Sequence, residues 1–157
     1  MLIADEKNFI FVLWKSNIFV GAMIEHKEVL RVRYGETDQM GFVYYGNYAL
    51  YFEVARVEAL RSLGISYAQL EKEGVLLPVY EFTTKYLKPA NYDDMLTIKC
   101  VIPLLPKGRI TFEYQTLNEA GDLLNEATVV LVFVDKATGR PTKPPEKLMS
   151  KMTPYFS

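Results

Sequence analysis

The chain of 157 residues has one cysteine, one histidine and no surplus of either charge, and each scarcity removes a class of function. Cys100 alone cannot close an intrachain disulfide, which suits a reducing, cytoplasmic setting. No Cys/His set has metal-ligand spacing, so neither a metal nor a cofactor is expected. His26 precedes the segment read as the first strand and no G-x-S-x-G elbow occurs, which leaves a serine or cysteine nucleophile without its usual base. With 18 Lys and Arg against 19 Asp and Glu, the net charge of −1 gives no overall field for nucleic acid or anionic lipid.

Long apolar runs are missing too. Phe9–Leu13 and Ile18–Val20 are too short to cross a bilayer, and Asp5, Glu6 and Lys15 fit poorly with an export signal, so no stable membrane insertion is expected. Met23 opens a segment that would be self-sufficient. Residues 1–22 are therefore read as an N-terminal extension, either genuine or the product of a misplaced start, and 23–157 as a single domain.

Half of the residues are hydrophobic, enough for one sizeable core. The alternation over 29–34 predicts a first strand with Leu30 and Val32 inward. Three glycines and no period over 35–46 predict a loop, after which Asn47 is placed to cap a helix ending at Leu63, with Gly64 at its left-handed C′ position. Tyr48, Tyr51, Phe52, Ala55, Ala59, Leu60 and Leu63 recur every three or four residues, so one face of that helix must be covered. Ser66 and Gln69 have capping-box spacing for a short second helix closing at Gly74. Strand patterns follow over 77–87, 96–102, 110–114 and 127–134, and their short links predict a meander. The last is apolar and β-branched throughout, which predicts cover on both faces, with a subunit interface as one source. Pro144 and Pro145 are expected in the first turn of a terminal helix. The sum is an α+β domain with an antiparallel sheet curled around one central helix.

The most informative run is Tyr34-Gly35-Glu36-Thr37-Asp38-Gln39-Met40-Gly41-Phe42-Val43-Tyr44-Tyr45-Gly46-Asn47-Tyr48, continuing through Glu53 to Arg56. It sets a carboxylate in a glycine-punctuated loop just ahead of a helix. Asp38, Gly41, Phe42-Val43, Tyr44-Tyr45 and Asn47-Tyr48 fall in the order of the signature of the 4-hydroxybenzoyl-CoA thioesterase-like branch of the hotdog-fold superfamily, which the chain resembles from roughly Lys27 to Val134. The resemblance implies a hotdog fold of about five strands around one long helix. It also implies a homodimer or homotetramer with sites at subunit interfaces, and hydrolysis of an acyl- or aryl-CoA thioester to free acid and CoA.

By the same resemblance Asp38 is the catalytic carboxylate, acting as nucleophile on the thioester or as general base for water. Hydrolysis puts negative charge on the carbonyl oxygen, and backbone amides at a helix start carry partial positive charge to meet it. The Tyr45 amide is thus implied as the main oxyanion donor, with Gly46 assisting. Tyr44, Asn47 and Tyr48 are candidates for substrate contact. Glu53, at a family position that is usually acidic, divides evenly between a pocket role and a surface ion pair with Arg56. Lys85 and Arg109 are the leading cations for the CoA phosphates, with Lys88 and Lys107 beside them, although strand-end cations more often protect an edge.

The plain alternative for Asp38 is an Asx-type turn, the usual work of a loop aspartate. Glu36 is the competing carboxylate. It is read as a solvated or structural charge. A hotdog dehydratase would call for a histidine on or near the central helix, which has none. Two alternatives stay open: a non-catalytic acyl-binding or assembly role, and cleavage of acyl-carrier-protein rather than CoA thioesters.

Overall fold

A computed structural model describes residues 22–157, so the two apolar runs of the expected extension lie outside the described residues. The chain forms β1 (Ile24–Arg31), a 3₁₀ turn (Tyr34–Glu36), α1 (Asn47–Ser62), α2 (Tyr67–Lys72), β2 (Val75–Leu76), β3 (Val79–Tyr86), β4 (Met95–Ile102), β5 (Arg109–Leu117), β6 (Leu123–Val132), β7 (Val134–Asp135) and α3 (Glu146–Met152). A five-stranded antiparallel sheet in the order β1-β4-β5-β6-β3 carries α1 on one face, and β2 pairs separately with β7. The expected α+β hotdog layout is what the chain adopts.

The core lies between helix and sheet. Tyr48, Tyr51, Phe52, Ala55, Ala59 and Leu60 are buried along α1, as their spacing requires, and meet Leu96, Ile98, Phe112, Tyr114, Val129 and Leu131 of the sheet. Phe52 stacks on Tyr114 with ring centroids 4.5 Å apart. Gly64 follows the helix at φ +75°, a left-handed position that glycine occupies without strain.

Several local expectations are corrected. The meander holds only for β4-β5-β6, because β3 lies at the far edge beside β6 while β1 takes the place next to β4. The 87–94 link cannot fold back as a hairpin because its backbone is bonded elsewhere. Leu87 and Lys88 donate to the Leu124 carbonyl, Ala90 accepts from the Val43 amide, and Asp94 accepts from the Val32 amide. His26 belongs to β1, opposite Cys100, since pairing with β4 extends the strand back to Ile24. A register shift between Val79 and Glu81 interrupts the alternation of β3, so Tyr80 falls out of phase with Phe82 and Tyr86. Gly46, not Asn47, is the N-cap of α1. Asn47 instead turns its amide to donate to the Glu36 carbonyl at 2.7 Å. Ser66 does cap α2 by position, but without a side-chain bond, and Gln69 reaches forward to Glu73. The prolines precede α3 rather than enter its first turn.

Along β6, Ala127, Val129 and Leu131 are buried against the helix side and Val130 is buried on the other face. By contrast, β3 is exposed along nearly its whole length. Its outer edge has no neighbouring strand among the described residues.

Candidate active site

Two backbone devices build the site. Between β1 and α1 the chain makes a tight turn. The Asp38 amide donates to the Phe42 carbonyl at 2.8 Å and the Gly41 amide to the Asp38 carbonyl at 3.0 Å, with Gly41 at φ +81°. The turn presents Asp38 at its shoulder. One carboxylate oxygen, Oδ1, accepts the Met40 amide at 2.9 Å, so the Asx-turn alternative describes half of what this side chain does. The other oxygen has no partner among the described residues.

The second device is the start of α1. Asn47, Tyr48 and Ala49 donate to the carbonyls of Tyr44, Tyr45 and Gly46, which leaves the Tyr45 and Gly46 amides without an acceptor among the described residues. A helix start concentrates such unpaired N–H groups and about half a positive charge. The Tyr86 hydroxyl of β3 donates to the Tyr45 carbonyl at 3.0 Å and so restrains the peptide that carries the Gly46 amide. Alanine at Gly46 would bring its Cβ to 3.0 Å from the Tyr44 ring, so the close approach of that ring depends on glycine.

Asp38 and Tyr45 line one pocket of about 330 Å³, together with Met40, Phe42, Val43, Tyr48, Tyr86, Leu87, Lys88 and Pro89. The walls come from three places: the Asp38 turn, the first turn of α1, and the end of β3 with its link toward β4. Burial is the largest influence on the Tyr48 hydroxyl, whose pKa is pushed up to about 12, and it also raises that of Tyr86. Both phenols therefore stay neutral and able to donate at physiological pH. The pocket thus sets a carboxylate with an unpaired oxygen and Tyr45 at the start of α1 around one aromatic space, while Gly46 is not part of the lining.

The other candidate residues separate. Tyr44 packs on Tyr45 at 4.6 Å but is not part of the lining. Asn47 is engaged with the Glu36 carbonyl. Glu53 points outward and lies 3.8 Å from the buried Arg56 guanidinium, the ordinary helix ion pair. Lys85 is an exposed residue of β3, and Arg109 lies 4.1 Å over the Tyr80 ring at the opposite end of that strand from Tyr86. None of these three lines the pocket. Lys88 does, and it pairs with Asp122 at 3.1 Å. Its position in the 87–94 link follows from the crossover, which local alternation could not reveal.

Glu36 is the main surprise. It is buried, not solvated: its carboxylate accepts the Arg33 amide and the Tyr51 hydroxyl, at 2.8 and 2.7 Å. Burial by itself would push its pKa up, but the Arg33 amide, the Tyr51 hydroxyl and the Arg33 guanidinium together hold it below the usual carboxylate value. Among the described residues no three potential metal ligands gather, and no helix is long and apolar enough to cross a membrane.

Comparison with known proteins matches residues 32–152 to the model of the thioesterase-like superfamily. YneP of Bacillus subtilis is 37% identical over 115 residues, covering 73% of this chain and 83% of that protein. The acyl-CoA thioester hydrolase YbgC of Escherichia coli is 35% identical over 122 residues, covering 78% of this chain and 91% of YbgC. The crystal structure of a DHNA-CoA thioesterase from Staphylococcus aureus superposes with a TM-score of 0.73 at 34% identity, covering 76% of this chain and 80% of that one.

Proposed function

The chain belongs to the thioesterase-like superfamily, and we infer that it is a thioester hydrolase that cleaves acyl- or aryl-CoA thioesters to free acid and CoA. The observation that carries this reading is the placement of Asp38 and the start of α1 on one pocket. In the proposed reaction the thioester carbonyl lies between them, and its oxygen takes the Tyr45 amide with Gly46 assisting. One such donor is typically worth about 2.7–4 kcal/mol of barrier. Asp38 then either adds to the carbonyl carbon, forming an anhydride that water opens, or takes a proton from the attacking water. In both routes one water is consumed, the C–S bond breaks, and the sulfur leaves as the CoA thiol. Tyr48 and Tyr86 flank the acyl group.

The same reading includes a homodimer, or a tetramer built from it, working in the cytoplasm. The uncovered edge of β3, with Phe82 and Tyr80 exposed, and the Leu50 and Val54 stripe of α1, about half exposed, support it. Edges of this kind are normally covered or blunted. An antiparallel pair of β3 strands would set the Arg109 and Tyr80 end of one copy toward the Tyr86 end of the other, the route by which Arg109 reaches a pocket.

Thiol release from a panel of purified substrates tests the proposal: aliphatic acyl-CoA, hydroxybenzoyl-, phenylacetyl- and naphthoyl-CoA, and the matching acyl-carrier-protein thioesters. Turnover of CoA substrates that is lost in Asp38→Asn is the expected result. Turnover confined to carrier-protein thioesters would move the substrate class. Acyl-CoA binding without release would replace catalysis with an acyl-holding role.

A further inference from the structure

The buried Glu36 accounts for more of the site than its neighbours do. Its side chain gathers Arg33 Nε and Nη2 on Oε1 at 2.8 and 2.7 Å, and the Arg33 amide and Tyr51 hydroxyl on Oε2 at 2.8 and 2.7 Å. Its backbone carbonyl accepts both the Asn47 side-chain amide at 2.7 Å and the Tyr44 amide at 2.9 Å. One residue is thereby tied to Arg33 just beyond β1, to the residue just before Tyr45, and to the first and second turns of α1. Asp38 follows two positions later.

These contacts are unequal. The Arg33 side chain is 81% exposed, so its ion pair is screened by water and contributes little. The Tyr51 hydroxyl and the Arg33 amide bond the carboxylate in a buried setting, where charge-assisted bonds are about twice as strong as neutral ones. Of the donors to the carboxylate, Tyr51 alone comes from α1, which makes it the rigid anchor. An apolar staple could have packed this loop onto the helix. A carboxylate that must be fully satisfied also fixes direction, because each bond has a narrow angular range.

We propose that Glu36 is a positioning residue, whose carboxylate on Tyr51 and carbonyl on Tyr44 and Asn47 hold the Tyr44–Gly46 backbone so that the Tyr45 amide faces the pocket shared with Asp38. The role assigned to that amide rests on the hydrolase reading; the restraint itself does not. Releasing the clamp lets the donor drift while the pocket walls stay in place. Misplacement of a reacting group by an ångström costs on the order of 100-fold in rate.

The test pairs kinetics with amide exchange in Tyr51→Phe and Glu36→Gln. Tyr51→Phe deletes one hydroxyl from the clamp, and it keeps the proposal open to test should Glu36→Gln fold poorly. Each variant is expected to lose roughly 10- to 100-fold in kcat while KM stays near that of the parent. The Tyr44 and Asn47 amides should exchange faster, and those of β5 should not. The double variant should be scarcely worse than the worse single one, as for groups acting as a unit. Unchanged exchange at Tyr44 and Asn47 in both single variants would overturn the proposal. So would acceleration that extends equally into β5, since that reports a general loss of stability. If the parent protein releases no thiol on the panel, the hydrolase reading fails by itself, and the exchange pattern still decides whether Glu36 sets this backbone.

Discussion

Asp38→Asn is the most discriminating single change because the structure separates what it removes from what it keeps. Asp38 Oδ1 accepts the Met40 amide, and an asparagine Oδ1 can accept the same bond, so the turn that presents residue 38 should survive. The charge and the basic oxygen are lost. A general base typically contributes about 10²- to 10⁴-fold, which is roughly 2.7–5.4 kcal/mol at 1.36 kcal/mol per tenfold. Asp38→Ala removes the acceptor as well. Met40 is exposed, so water takes over its amide and the further cost is a stability loss of about 0.5–1 kcal/mol, or roughly 1–4 °C in melting temperature. The assay is thiol release at saturating substrate beside a thermal melt. Both variants should be equally inactive, with only the alanine protein melting lower. Asparagine turnover within tenfold of the parent would remove Asp38 from the chemistry. A large drop in melting temperature for asparagine would show instead that the turn depends on the charge.

Further outcomes follow from the same geometry. Phe52→Ala empties a fully buried site stacked on Tyr114, and urea unfolding should show a loss of about 3–5 kcal/mol. The lowered pKa of Glu36 means that its bonds stabilise the fold fully above the ordinary value of 4.5 and lose that effect as pH falls through the lower folded value. Melting temperatures below pH 4.5 should therefore fall more steeply for the parent than for Glu36→Gln. Lysine at Val54, on the exposed apolar stripe of α1, should shift the proposed dimer toward monomer in light scattering while the circular dichroism spectrum stays unchanged. Burial pushes the Cys100 thiol up to about 12, so it should resist a thiol reagent at pH 8 until denaturant is added.

What could be read from the chain depended on the range of the interaction that decided each feature. The buried stripe of α1 is a local periodicity, and all of its expected members turn inward, with Leu63 packed at the margin. Gly64 and Gly74 close their helices at positive φ because no other residue does so without strain. The place of β3 depends on its long-range pairing with β6, which the bonds of Leu87 and Lys88 to Leu124 continue and no alternation records. Of the two readings of Glu36, solvated or structural, the structure shows the second, and its burial is hidden from the sequence for a related reason. Tyr34–Glu36 is a 3₁₀ turn that folds the carboxylate onto Tyr51, a contact between segments that no local period records. The family signature singles out Asp38 and Tyr45, which do line one pocket, but the walls contributed by Tyr86 and Lys88 needed the crossover to bring them near.

That crossover ties the chemistry to the edge of the sheet. With β3 sent past β6 to the rim, its end must pass the start of α1 on the way back to β4. Tyr86 and Lys88 become pocket walls there, and the Ala90 carbonyl bonds Val43 of the Asp38 turn. Three segments thus hold one small volume: the Asp38 turn and the helix start, neighbours in sequence joined through Glu36, and the end of β3, whose Tyr86 lies 41 residues from Tyr45. The third is continuous with an unpaired strand edge. A change at that edge has a short mechanical path to the Tyr45 carbonyl through the Tyr86 hydroxyl. In the proposed dimer, covering β3 with a second copy would order a pocket wall as well as hide backbone, and the catalytic rate should then track the fraction of dimer when protein concentration is varied across its dissociation.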